Sequence, residues 1–90
     1  MTTAHSAAGA TLDLRRYACP LTYVKTRIAL ERVAAGQRVE VWVAAGEAAE
    51  SVPRSAIEDG HRVLLVEPMA DAGGIRVLIE KGLAGAGGLA

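Results

Sequence analysis

Apolar residues recur at every second position in three short runs of this sequence, and that spacing restricts the fold more than any other feature of the chain. In ATLDLR, Leu12 and Leu14 fall on one side, with Thr11, Asp13 and Arg15 on the other. RVEVWVA sets Val39, Val41 and Val43 against Glu40 and Trp42, and GGIRVLIEK sets Ile75, Val77 and Ile79 against Arg76, Leu78 and Glu80. A period of two is that of a half-buried strand. HRVLLVE reads as a fourth strand, apolar on both faces.

Two stretches between the first three strands keep a different rhythm. RYACPLTYVKTRIALERVAAG predicts a helix over about 20–34. Pro20 suits the first helical position because its missing N–H would be unpaired there, and Gly36 suits the left-handed position just past the end. Tyr23, Thr26, Leu30, Val33 and Ala34 share one broad face, which is expected to meet the core. Leu21, Val24 and Ile28 lie roughly opposite, among Lys25 and Arg32. They either pack on a flanking loop or the other helix, or form a surface for a partner. In EAAESVPRSAIEDG, Gly60 stops a second helix, and Pro53 predicts that its well-formed part begins near that residue. PMADAGG reads as the hairpin loop joining the last two strands.

The order is therefore β-α-β-α-β-β. Right-handed crossovers put both helices on the same face of the sheet. The fold class is α/β (α+β), a two-layer sandwich with a mixed four-stranded sheet and two helices on one face. The other face is open, with Trp42 and Leu78 expected to lie exposed and to invite weak homodimerisation. A chain of 90 residues makes one domain. Residues 1–9 and the Gly/Ala-rich 82–90 are expected to be disordered ends around a folded body at 10–81. So short a chain holds a thin core, which places any chemistry near the surface.

Several classes of function are excluded by what the sequence lacks. A single cysteine rules out an internal disulfide framework and a cysteine-rich zinc site, and suits the reducing cytoplasm. No apolar run is long enough to span a bilayer, and the amino terminus lacks the marks of a secretory signal. Formal net charge is zero but unevenly spread: six cations stand against two acids up to position 38, and four against eight thereafter. Such a dipole can steer an acidic partner toward the positive half. Balanced charge and few aromatics speak against direct nucleic-acid binding. Gly36, Gly60, Gly73 and Gly74 read as turn residues, since no Gly-rich fingerprint joins a strand to a helix.

Cys19 stands in the connection leaving the first strand, at or next to the start of the first helix, with Arg15, Arg16, Lys25 and Arg27 around it in sequence. The unpaired N–H groups and the dipole of a helix start favour an anion. Comparable settings lower a cysteine pKa from about 8.5 to roughly 3.5–7.5. The expected group is a nucleophilic, accessible thiolate, against the commoner role of a free cysteine as a small buried hydrophobe. Neither His5, in the terminal segment, nor His61, at the start of a distant strand, supplies a base for hydrolysis. Thiol–disulfide exchange would call for CxxC, where this chain has Cys-Pro-Leu-Thr. A lone thiolate without base, metal or cofactor can still carry a group.

At this point the run LDLRRYACPLTYVKTRIALERVAAGQRVEVWV resembles the TusA/SirA-type sulfur-carrier family, whose signature LD-x-RGL-x-CP-x-P opens the first helix. Leu12, Asp13 and Arg15 match its LD-x-R, and Cys19 and Pro20 its Cys-Pro. Lys25, Thr26, Arg27, Ala29 and Leu30 match the helix pattern, and the resemblance extends over about 10–81. Arg16 and Tyr17 replace the family's Gly-Leu, and Thr22 its second proline, restoring a backbone N–H and adding a hydroxyl that can bond locally. The resemblance implies a small cytoplasmic carrier that acts with partner enzymes. Cys19 would take sulfane sulfur as a persulfide from a cysteine desulfurase or rhodanese-like donor. It would pass it to an acceptor in tRNA thiolation, molybdenum-cofactor maturation or sulfur oxidation. Pro20, Arg15, Arg16, Lys25, Arg27 and Thr22 would surround the thiolate or persulfide, and Tyr17, Leu21 and Val24 would meet the partner. The rival is a regulatory or interaction module of the same fold whose cysteine is inert or redox-sensing.

Overall fold

The computed structural model describes residues 10–18, 21–70 and 73–82. Along the chain run β1 (Ala10–Asp13), α1 (Leu21–Glu31), β2 (Arg38–Val43), α2 (Glu47–Glu58), β3 (Arg62–Met69) and β4 (Gly74–Glu80). The strands lie in the order β1-β2-β4-β3, with β1 parallel to β2 and β4 antiparallel to both its neighbours. The α+β architecture with a mixed four-stranded sheet is therefore the one its alternation predicts. The inner position of β4, between β2 and β3, is not visible in the sequence.

Alternation fixes which face is buried. Val39, Val41, Val43, Val77 and Ile79 are fully buried and meet Leu30 of α1 and Val52 and Ala56 of α2. Each of these valine, leucine and isoleucine side chains contributes about 1.5–3 kcal/mol relative to exposure. Among the described residues no helix is long and apolar enough to cross a membrane.

Both helices depart from expectation, each for a physical reason. Within the described residues α1 ends at Glu31 instead of reaching 34. There the ladder tightens, with Arg32 N–H donating to the Ala29 carbonyl and Val33 N–H to that of Leu30. Gly36, at φ 90°, then turns the chain and donates its N–H to the Lys81 carbonyl. The face toward the core is Thr22, Thr26 and Leu30, all buried, while Tyr23 and Val33 are half-buried and Ala34 is exposed. Two threonines can sit there because their hydroxyls are satisfied: Thr22 donates to the Tyr17 carbonyl at 3.1 Å and Thr26 to that of Thr22 at 2.9 Å.

Helix α2 begins at Glu47 and carries Pro53 in its interior, rather than starting near it. Ala48, Val52 and Ala56, four apart, bury one stripe on the sheet, and that packing outweighs the lost N–H at Pro53. Strand β3 runs on through Pro68 and Met69, residues expected in the hairpin loop. β3 is an edge strand, where a missing N–H can face solvent.

The sheet face away from the helices is not a bare apolar patch. Trp42 and Leu78 are half-buried rather than exposed. Trp42 donates its indole N–H to Glu40 at 2.7 Å, and Arg76 lies between Glu40 at 3.8 Å and Glu67, to which it is hydrogen-bonded. At the carboxyl end of α1, Lys81 donates from Nζ to the Val33 carbonyl, and Gly82 N–H donates to Nδ1 of His61. Burial holds the His61 imidazole below its usual pKa, with Lys81 adding to the effect and Asp59 opposing it. Tyr23 donates to Asp59 at 2.6 Å across 36 positions of sequence, and burial together with that carboxylate pushes its phenol well above the usual range.

Candidate functional site

Residues leaving β1 form the turn on which the candidate site is built. Leu14 N–H donates to the Trp42 carbonyl at 2.8 Å, extending the β1–β2 pairing, and Tyr17 N–H donates back to the Leu14 carbonyl at 3.1 Å. Arg15 and Arg16 occupy the centre of this turn. On its far side, Thr22 N–H donates to the Ala18 carbonyl at 3.2 Å. The N–H that threonine has and proline lacks is thus used, and so is the hydroxyl, on Tyr17. Cys19 and Pro20, the two residues on which the chemistry was expected to centre, lie outside the described residues.

The cations named from the sequence do not form one cluster. Arg15 turns onto the open sheet face: its Nε donates to Asp13 Oδ1 at 2.8 Å and its NH2 group to Oδ2 at 2.7 Å, while the guanidinium carbon lies 5.2 Å from the centre of the Trp42 ring. This two-pronged hydrogen bond, with a further one from the Arg15 N–H, holds the Asp13 carboxyl at a pKa of about 2. The Arg15 stem passes so close to Gly74 that a Cβ there would meet its Cδ at 2.9 Å and the Val43 carbonyl at the same distance. Arg16 is exposed and shares a shallow hollow with Asp13, Arg15 and Gly73.

Lys25 goes to the other side of the turn. Its ammonium lies 4.8 Å from the centre of the Tyr17 ring, which itself packs on the core. Arg27 is exposed and faces Glu31 at 3.6 Å, one helical turn along. Leu21, Val24 and Ile28 are exposed at 45%, 46% and 44%, so within the described residues neither a loop nor α2 covers them. Among the described residues, no cluster of three or more histidine, cysteine or carboxylate side chains could hold a metal.

Two contacts that the sequence reading missed shape the site. The stacking of Arg15 on Trp42 was foreshadowed only in part: Asp13 and Arg15 share one side of an alternating run, but the place of Trp42 beneath them depends on the strand register, Asp13 opposite Trp42. The pairing of Lys25 with Tyr17 joins turn to helix and leaves no periodic signal.

Comparisons with known proteins converge on one family. Residues 10–81 match the sequence profile of the family described as Sulfurtransferase TusA. A protein of Archaeoglobus fulgidus, described as "Putative sulfur carrier protein", is 36% identical over 64 residues, covering 71% of this chain and 73% of the relative. A Thermotoga maritima protein with the same description is 37% identical over 57 residues, 63% of this chain and 72% of its own. Among solved structures, the SirA-like protein from Desulfitobacterium hafniense superposes with a TM-score of 0.70 at 27% identity, covering 81% of this chain and 97% of its own.

Proposed function

The chain belongs to the TusA sulfurtransferase family of sulfur carriers, and from that membership we propose that it holds sulfane sulfur as a persulfide on Cys19 and relays it between two cytoplasmic partner enzymes. The observation that carries the reading is the family match across residues 10–81, in a chain whose only thiol is Cys19. In the loading step the Cys19 thiolate attacks the terminal sulfur of a donor persulfide. A new S–S bond forms at Cys19, the donor's S–S bond breaks, and the donor sulfur leaves as a thiolate. In the unloading step an acceptor nucleophile takes the terminal sulfur and Cys19 leaves as the thiolate. The sulfur moves between thiolates, so neither an outside oxidant nor a metal is consumed.

The surroundings support that division of labour. Lys25, over the Tyr17 ring, and the exposed Arg16 leave positive charge on the turn, which favours an anionic persulfide, while the charges of Arg15 and Arg27 are met by Asp13 and Glu31. The exposed Leu21 and Val24, together with Tyr17, are the surface for the donor, a cysteine desulfurase or rhodanese-like enzyme, and then for the acceptor protein. Intact mass after incubation with a sulfane-sulfur donor tests the reading. The native chain is expected to gain one sulfur atom, lost again on reduction, and Cys19→Ser is expected to gain none. No gain with any donor would leave the chain an interaction module of the same fold.

A further inference from the structure

The sheet has two edges, and they are built differently. β3 carries a bulge between Val63 and Leu65 and a proline at 68, both of which discourage a further strand. β1 has neither. Because Leu14 N–H points to β2, alternation aims the backbone N–H and C=O groups of Thr11 and Asp13 the other way, and among the described residues no strand pairs with them. Beside this free edge a groove of about 430 Å³ opens between β1 and α1. Leu12, Leu14, Ile28 and Val33 give it apolar walls, and Lys25 and Arg32, two helical turns apart, stand on its rim. Arg32 forms no ion pair among the described residues.

We propose that this groove takes an extended, carboxylate-bearing segment of a partner protein, which adds to β1 as a fifth strand. The backbone of such a segment satisfies Thr11 and Asp13. Its side chains alternate, so those facing the groove recur every second residue. The two cations, about 10 Å apart along a helix rising 1.5 Å per residue, have side chains long enough to reach acids about 13 Å apart on a strand, flanking one central apolar side chain in the pattern acid-x-apolar-x-acid. Charge decides the occupant. Residues 1–9 and 83–90 contain no Asp or Glu, and a second copy joined edge to edge would bring two cationic rims together. The proposal rests on the carrier reading only for its purpose: Tyr17, which lines the groove, is two residues from Cys19.

The test uses the full chain with Cys19→Ser, so that its outcome is separate from persulfide loading. A fluorescein-labelled peptide TETVTET is expected to bind saturably at low salt and to slow amide hydrogen exchange at Thr11 and Asp13. Arg32→Glu is expected to weaken binding about tenfold, and Thr11→Pro, which removes an outward N–H, to abolish it. Equal binding of TKTVTKT would overturn the proposal. So would exchange at Thr11 and Asp13 unchanged at saturation, or shift changes confined to Leu21 and Val24.

Discussion

At the scale of single residues, the turn after β1 separates charges that sit side by side in sequence. Arg15 is committed to Asp13 and Trp42, whereas Lys25 is committed to Tyr17. The Asp13 carboxyl has a folded pKa of about 2, below its ordinary value of 3.8, because both its oxygens accept from Arg15. A depressed carboxylate pKa stabilises the folded state above the unfolded value, and that contribution is lost as pH falls through the folded one. The window therefore lies between about 4 and about 2. Protonating Asp13 also removes the negative charge beside the guanidinium that stacks on the Trp42 ring. Fluorescence of Trp42, the chain's only tryptophan, is expected to titrate with a midpoint near 2 while far-ultraviolet circular dichroism is still native. In Asp13→Asn that titration should vanish. A midpoint near 4 that Asp13→Asn abolishes would show that the clamp does not hold in solution.

At the scale of elements, α2 contains the plainest conflict between local preference and packing. Pro53, seventh of its 12 residues, leaves the Ala49 carbonyl without its helical donor, yet the Ala48, Val52, Ala56 stripe holds the helix together around it. Pro53→Ala is expected to raise unfolding free energy by about 2 kcal/mol, the regained hydrogen bond and relieved ring contact exceeding the looser unfolded chain. A higher urea midpoint at unchanged slope checks it, and a lower midpoint would contradict it. The same conflict explains which elements were legible. Strands were readable because one face of the sheet is covered, which leaves a period of two in β1, β2 and β4. The start of α2 was not, because a proline signal outweighs three spaced small residues when only local chemistry is visible. Nor was the buried face of α1: Thr22 and Thr26 look polar until the carbonyls that take their hydroxyl protons are in place. In the candidate site the Asp13–Arg15 pair was implicit in alternation, while the groove beside β1 depends on sheet order, which no single run of residues encodes.

At the scale of the molecule, the two faces of the sheet serve different ends. One is buried under both helices. The other carries a polar chain across all four strands, from Glu67 on β3 through Arg76 on β4 to Glu40 and Trp42 on β2 and on to Arg15 and Asp13 beside β1. A stable dimer buries about 800 Å² on each partner around an apolar centre. To form one here, Arg76, Glu40 and Glu67 would have to leave water together, and a buried ion pair returns little more than its own desolvation costs. Trp42 and Leu78, which suggest self-association in the sequence, are half-buried, and each stands opposite a charged residue in the register, Trp42 opposite Arg76 and Leu78 opposite Glu40. The chain is therefore expected to sediment as a monomer across a wide concentration range in moderate salt. A concentration-dependent dimer that Trp42→Arg dissolves would show that this face pairs after all. A dimer insensitive to that change but lost in Thr11→Pro would place the contact at the free edge of β1 instead.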